Sequence, residues 1–249
     1  MIKELAKKIL AGRKCNLCHN RIYKFIPISD SYINNLKEKG FPIPVNKFET
    51  LNYGEYTCPS CNANDRDRLI GLYLEKDLLE NKERSILDIA PSSPVRAFLK
   101  QQPGVKYRSA DLYMEDVDDK VDIQNMNIYK DNTFDVIICS HVLEHIPDDI
   151  QALREMYRIL KPGGKCILLV PIPLEDIAYD EELGSLATKE RERRFGQDDH
   201  VRLYTGKIFE ERILAGGFRL EKTGTEGFSA EELKKYGIAP GSILYIGKK

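Results

Sequence analysis

Cys15-Asn16-Leu17-Cys18 and Cys58-Pro59-Ser60-Cys61 repeat one spacing. Two residues between cysteines form a tight turn that lets both sulfurs face a single ion. Four thiolates then close a tetrahedral zinc site. Disulfides are the weaker reading, because no secretory segment points to an oxidising compartment. A redox Cys-x-x-Cys normally stands alone at a helix start, not in duplicate. His19 could replace one cysteine, but Cys15, Cys18, Cys58 and Cys61 suffice. A closed four-sulfur site has no open coordination position. Its expected role is to fold a module that is too small to bury enough core. Cys139 and Cys166 lie in apolar runs and read as inert core residues.

Histidine supplies the second chemical set, because its side chain is a base near neutral pH. His200 stands in Asp198-Asp199-His200-Val201-Arg202-Leu203-Tyr204-Thr205. It reads equally as a general base or substrate orienter, partnered by Asp198 or Asp199, and as a packing residue that anchors a loop. His141 reads equally as a ligand contact and as a cap on loop backbone. His145 and Glu144 read as structural, since the Ile146-Pro147 turn has backbone groups to satisfy. Arg202 and Tyr204 divide evenly between anion binding and internal contacts.

These residues need elements to hold them. Phe134–Cys139 is a short apolar run, which predicts a buried strand. Asp148 can cap a following helix, and Asp149 suits the positive end of its dipole. Ile150, Leu153, Tyr157 and Leu160 form an apolar face at helical spacing. Lys161-Pro162-Gly163-Gly164 ends that helix, and Cys166–Val170 is a second continuous apolar run. Strand, helix and strand in this order form a crossover unit, which predicts a parallel sheet in an α/β domain.

That unit resembles the fourth and fifth strands of class I S-adenosylmethionine (SAM)-dependent methyltransferases of the methyltransferase domain 11 type. Phe134-Asp135-Val136-Ile137, His141-Val142-Leu143-Glu144-His145 and Leu160-Lys161-Pro162-Gly163-Gly164 carry the resemblance. It implies a Rossmann-like fold with a seven-stranded, mostly parallel sheet whose last strand is antiparallel. Ser85–Ala90 would be the first strand, leading into a turn of Asp88, Ala90, Pro91 and Ser92 around the methionine part of SAM. Members of the family carry glycine in this turn. Here none occurs, and Ala90 stands where the first glycine would be. Val105–Ala110 would be the second strand. Asp111, followed by Leu112, ends it where an acidic side chain can accept from both ribose hydroxyls. Asp122 and Ile123 would meet the adenine. Ser140 and His141 would lie beside the reacting methyl group, with His200 and His141 as the catalytic candidates.

Residues 1–64 read as an N-terminal helix, bearing Ile2, Leu5 and Ile9, plus the zinc module. Residues 65–84 read as a connecting helix with Leu69, Leu72, Tyr73 and Leu79 on one face. Residues 85–249 form the SAM-binding domain. Cys-Pro-x-Cys followed by Arg-x-Arg-Leu resembles segments that precede this core in some bacterial proteins. The gap between the cysteine pairs predicts an excursion over Ser31–Asn52. The charged stretch at about 174–204 follows the fifth strand and reads as a lid on the substrate side. Thr205 is expected to cap the helix Gly206–Ala215, and Phe218–Thr223 and Ser242–Ile246 would supply the last two strands.

The formal net charge is -1, from 38 basic and 39 acidic residues, so the basic excess of a phosphate-gripping protein is missing. No apolar run approaches the length of a bilayer span. The expected protein is cytoplasmic, with a small-molecule acceptor and no nucleic acid or membrane partner. By analogy with bacterial relatives, the acceptor atom would be an oxygen on a sugar or surface-polysaccharide precursor. One alternative is an RNA methyltransferase whose zinc module grips the nucleic acid. Another is a non-catalytic SAM-binding protein that recruits a partner. No Asn-Pro-Pro-Tyr segment points to methylation of adenine amino groups. The sequence leaves the oligomeric state open.

Overall fold

In the computed structural model, residues 12–78, 83–175 and 177–249 are described. The expected helix bearing Ile2, Leu5 and Ile9 lies outside them, as does Leu79. The chain opens with β1 (Arg13–Lys14), β2 (Arg21–Ile22) and helix α1 (Asp30–Glu38). Helix α2 (Asp65–Tyr73) runs on into a π-helical turn, Leu74–Leu78. Then follow β3 (Arg84–Ile89), α3 (Ser93–Lys100), β4 (Val105–Asp111), β5 (Asp119–Lys120) and β6 (Phe134–Ser140). Next come α4 (Asp149–Ile159), β7 (Leu160–Leu169), β8 (Asp180–Glu181), α5 (Thr188–Phe195) and β9 (Arg202–Leu203). The chain closes with α6 (Gly206–Ala215), β10 (Arg219–Thr223), α7 (Ala230–Tyr236) and β11 (Leu244–Lys248). Among the described residues, no helix is long and apolar enough to cross a membrane.

The main sheet has seven strands in the order β10-β11-β7-β6-β3-β4-β5. Pairings from β7 through β5 are parallel, whereas β11 is antiparallel to both β7 and β10. This is the expected Rossmann-like arrangement with an antiparallel last strand. β3 has β4 on one side and β6 on the other, so the winding reverses there. The carboxyl ends of these strands frame the crevice where such sheets bind ligands. β5 has only 2 residues, and no helix forms between it and β4.

Local signals account for the elements around that edge. Asp148 caps α4 by accepting from Gln151 N at 2.9 Å, and Thr205 caps α6 by accepting from Ile208 N at 3.3 Å. The buried stripe of α4 is Asp149, Ala152, Leu153, Met156 and Ile159, rotated from the predicted face of Ile150, Leu153, Tyr157 and Leu160. Asp149 belongs to this buried face. It is fully buried, accepting from Tyr204 Oη at 2.5 Å and from Arg212 Nη1 at 2.6 Å, instead of standing exposed at the helix start. Leu160 is the first residue of β7, so the helix ends before Lys161-Pro162-Gly163-Gly164.

The cysteine module does not stand apart from the sheet. Cys15, Leu17, Ile22, Phe25 and Cys58 share one core with α2 and with the face of the sheet formed by Ile86, Val136, Ile138 and Ile167. Arg68 is the hub of this junction. It is fully buried, and donates to the carbonyls of Glu55, Tyr56, Ala63, Tyr236 and Gly237. Its guanidinium also lies 3.9 Å from the centre of the Phe25 ring. An arginine satisfied by carbonyls on three separate segments ties them into one body.

Candidate active site

The turn after β3 adopts the conformation that a glycine would supply. Ala90 has φ 49°, in the left-handed region, at an expected cost of about 1–2 kcal/mol. His141, at the end of the neighbouring β6, has φ 57°. The two strained residues thus lie on adjacent strand ends, and strain of this kind gathers at ligand sites. Ser92 caps α3 by accepting from Val95 N at 3.4 Å, which aims that helix start at the turn. Asp88 is buried, accepts from Tyr107 Oη at 3.0 Å, and is pushed up to about 7 by its burial.

Asp111 ends β4 as expected, and its Oδ1 accepts from Tyr113 N at 2.6 Å and Met114 N at 2.7 Å. This orders the loop, in which Leu112 and Tyr113 are exposed, and leaves Oδ2 for a ligand hydroxyl. Asp122 is engaged by Gln124, whose backbone N donates to Oδ1 at 2.9 Å and whose side chain meets both carboxylate oxygens. Ile123 is buried in the core beneath it. The donor set fits SAM: a permissive turn, a helix start and an acidic strand end converge on one edge.

Beside this edge lies a cavity of about 700 Å³. Its floor is the loop after β6, with His141, Glu144 and His145. One wall is the excursion, including Phe41 and Phe48, with Ile28 just before it, and the other is the lid, including Phe195, His200 and Leu203. Leu36, Phe41, Ile43, Phe195 and Leu203 share one apolar cluster, so excursion and lid close over the floor together. Backbone bonds continue the roof: Glu49 N donates to Ile172 O at 2.8 Å and Leu174 N to Lys47 O at 2.7 Å.

The polar groups of the cavity form a chain. Arg66, from α2, donates from Nη2 to Tyr56 Oη at 2.9 Å, and its Nη1 lies 2.7 Å from His141 Nε2. Arginine can only donate, so Nε2 accepts and the His141 proton sits on Nδ1. Nδ1 lies 3.1 Å from Glu144 Oε1, but out of line for a hydrogen bond, and both buried Glu144 oxygens lack a donor. Burial and the Arg66 charge push His141 down to about 4, against the pull of Glu144, so the ring is neutral. Burial opposes the Glu144 charge, yet the His141 Nδ1–H dipole beside it holds its carboxyl below the usual range. With Nε2 taken by Arg66, His141 is a clamped ring, not a free base.

His200 is buried, and its Nδ1 lies 3.2 Å from the Phe195 carbonyl. That carbonyl can only accept, so the proton is on Nδ1 and Nε2 carries the lone pair. Nε2 is buried and without a partner. Burial lowers the pKa of His200, which favours this neutral form. The expected pairing of His200 with Asp198 or Asp199 does not form. Asp199 Oδ2 lies 3.1 Å from His145 Nδ1 instead, and the His145 and His200 rings meet edge to face at 4.6 Å.

Arg202 and Tyr204 resolve as internal contacts. Arg202 is fully buried, bonded to Glu181 and to the carbonyls of Leu143, Ile146 and Pro147. It pins the histidine loop to the lid. Sequence reasoning missed Arg66 and Tyr56, because only the packing of α2 on the sheet edge brings them to His141.

The four cysteine sulfurs lie within 4.8 Å of one another, with Cys15 and Cys61 at 3.7 Å and Cys18 and Cys58 at 4.0 Å. Zinc–sulfur bonds of about 2.3 Å in a tetrahedron imply separations of about 3.8 Å, so the set fits zinc. His19 and Asn62 each follow the second cysteine of a pair, with φ 58° and 61°. His19 therefore has a turn-forming place matched by an asparagine in the other pair.

Residues 86–168 match the family model described as a methyltransferase domain. The demethylmenaquinone methyltransferase of Lactiplantibacillus plantarum is 37% identical over 71 residues, 27% of this chain and 30% of that protein. A ubiquinone/menaquinone biosynthesis C-methyltransferase of Desulfotalea psychrophila is 38% identical over 52 residues, 20% of this chain and 21% of that protein. The chain thus spans less than a third of the length of these curated relatives. The crystal structure of the (4+2)-cyclase SpnF aligns over 91% of this chain and 99% of that chain, with a TM-score of 0.55 and 16% identity. This last likeness covers most of the chain and concerns the fold alone.

Proposed function

We propose that the chain, whose residues 86–168 match a methyltransferase domain, transfers the methyl group of SAM to a small molecule held in the cavity beside the sheet edge. The observation that carries this is the position of that cavity: its floor, His141–His145, is the loop that leaves the central strand at the cofactor edge. Methyl transfer is an in-line displacement, so the acceptor atom must sit opposite the sulfonium, close and collinear.

The chain's own residues divide this work. Asp111 and the Asp88–Ser92 turn would hold the ribose and the methionine part of SAM, and Asp122 and Ile123 would border the adenine. Ser140 and His141 stand at the junction of cofactor and acceptor. Glu144 and His200 line the cavity, and His200 Nε2 and the Glu144 oxygens are buried acceptors without a partner, which suits an acceptor hydroxyl whose proton must leave. Ile26, Ile28, Leu36, Phe41, Phe48 and Phe195 line the wall. Such a lining favours an acceptor with an apolar body and one oxygen-bearing end over the sugar first expected.

Zinc, held by Cys15, Cys18, Cys58 and Cys61, would act as a structural staple, with no open position for substrate. It would hold the ends of the excursion that forms one cavity wall. The test is calorimetry with SAM, followed by transfer of labelled methyl to a panel of hydroxyl-bearing amphipathic compounds and sugars. Saturable SAM binding with labelled product is expected. Absence of SAM binding would remove the reading, and labelling of sugars alone would restore the first acceptor class.

A further inference from the structure

We propose that Glu144, His145 and His200 form a second metal site, for a divalent first-row transition ion, in the floor of the acceptor cavity. Their ligand atoms lie within 4.8 Å of one another. Metal–ligand bonds of about 2.0–2.2 Å set separations of roughly 3–4 Å, so a modest closing of side chains completes the set.

Three observations converge. First, Glu144 is 1% exposed and His200 3%, and both Glu144 oxygens and His200 Nε2 are buried without a hydrogen-bond partner. Buried acceptors of this kind are otherwise paired, and three orphans in one cluster call for a cation. Second, both histidines meet an oxygen through Nδ1. His145 Nδ1 faces the Asp199 carboxylate at 3.1 Å and His200 Nδ1 the Phe195 carbonyl at 3.2 Å. The carbonyl fixes the His200 proton on Nδ1 and leaves its Nε2 lone pair free, the outer-shell arrangement of metal-bound histidine. Third, the cluster faces the cavity, so positions remain for an acceptor oxygen. Two imidazoles and a carboxylate, without thiolate, suit manganese, iron, cobalt or zinc better than magnesium or calcium.

The inference deepens the methyl-transfer reading, since a cation here would orient and polarise the acceptor, but its test needs no turnover. Zinc-loaded protein is titrated with Co2+ and followed by visible absorption, while elemental analysis confirms that the thiolate-bound zinc stays. About one further Co2+ per chain is expected, with the weak bands of nitrogen and oxygen ligation. E144Q and H200A should each weaken that binding at least about 100-fold, and D199N, which leaves all three ligands in place, about 10–100-fold. Retained zinc and SAM affinity show that a variant is folded, and D199N carries the test if the others are not. No Co2+ bound beside the retained zinc, or binding untouched by all three changes, would overturn the site. Loss of SAM binding in the unaltered protein would strike the methyl-transfer reading instead.

Discussion

Arg66 Nη1 stands 2.7 Å from His141 Nε2, so a residue leaving the cysteine module sets the tautomer of a ring on the central strand's edge. Arg66 also holds Tyr56, which lines the cavity between the excursion and the second cysteine pair. The cofactor edge and the acceptor wall are therefore joined by one guanidinium. Arg66→Met should raise the His141 pKa from about 4 part of the way towards 6.5, because burial remains. NMR titration of the ring measures this, and an unmoved midpoint would show that burial alone sets it.

His200→Ala should lower methyl transfer by roughly 10²–10⁴-fold with SAM affinity kept, since His200 lines the cavity proposed for the acceptor and its Nε2 has no partner. Steady-state rates beside calorimetry separate the two. Equal loss of SAM affinity would make His200 a packing residue.

Asp111→Ala removes both the candidate ribose acceptor and the bonds to Tyr113 N and Met114 N. SAM affinity should fall about tenfold or more, the effect of one or two hydrogen bonds to a charged group. Asp111→Asn keeps a loop-ordering oxygen and should fall less. Equal affinity in both variants and the parent would take Asp111 out of the site.

Asp88 gives a pH signature. Burial lifts its folded-state pKa to about 7, while the unfolded value stays near 3.8. The folded chain then holds a proton that the unfolded chain has lost between about pH 4 and 7. The stability contribution is full below pH 4 and declines as pH rises to about 7, by roughly 4 kcal/mol at 1.4 kcal/mol per unit. Asp88→Asn does not titrate. Its unfolding free energy relative to the parent should climb between pH 4.5 and 8 in urea denaturation, and a flat difference would place the carboxyl in a wetter site.

Stripping the thiolate-bound metal should unfold residues 12–64 at least locally, because the cysteines sit inside the core shared with the sheet. Protein with Cys58→Ser should contain no zinc, melt lower and lose methyl transfer more than SAM binding. A fully active, metal-free variant would remove the staple.

Much of the frame was legible in the sequence because its signals are local. Continuous apolar runs marked β6 and β7, and single side chains, Asp148 and Thr205, marked helix starts. The cysteine spacing marked four sulfurs that do converge. Pairings across the cavity were not legible. Asp199 precedes His200 in the chain, yet it meets His145 because the lid folds back over the loop. Arg202 looked available for an anion, yet the carbonyls of Leu143, Ile146 and Pro147 consume it. Such outcomes depend on which surfaces meet, and no spacing along the chain encodes that.

The acceptor wall is built from Ile28, Phe41 and Phe48, while the SAM edge is built from residues beyond position 85. One wall of the cavity thus lies on a stretch of chain apart from the strand ends, although the lid and the histidine loop close the rest of it. Substitutions confined to the excursion would retune which molecule is accepted without disturbing the methyl donor. The excursion thereby becomes a selector whose shape is transmitted to the sheet edge through Arg66.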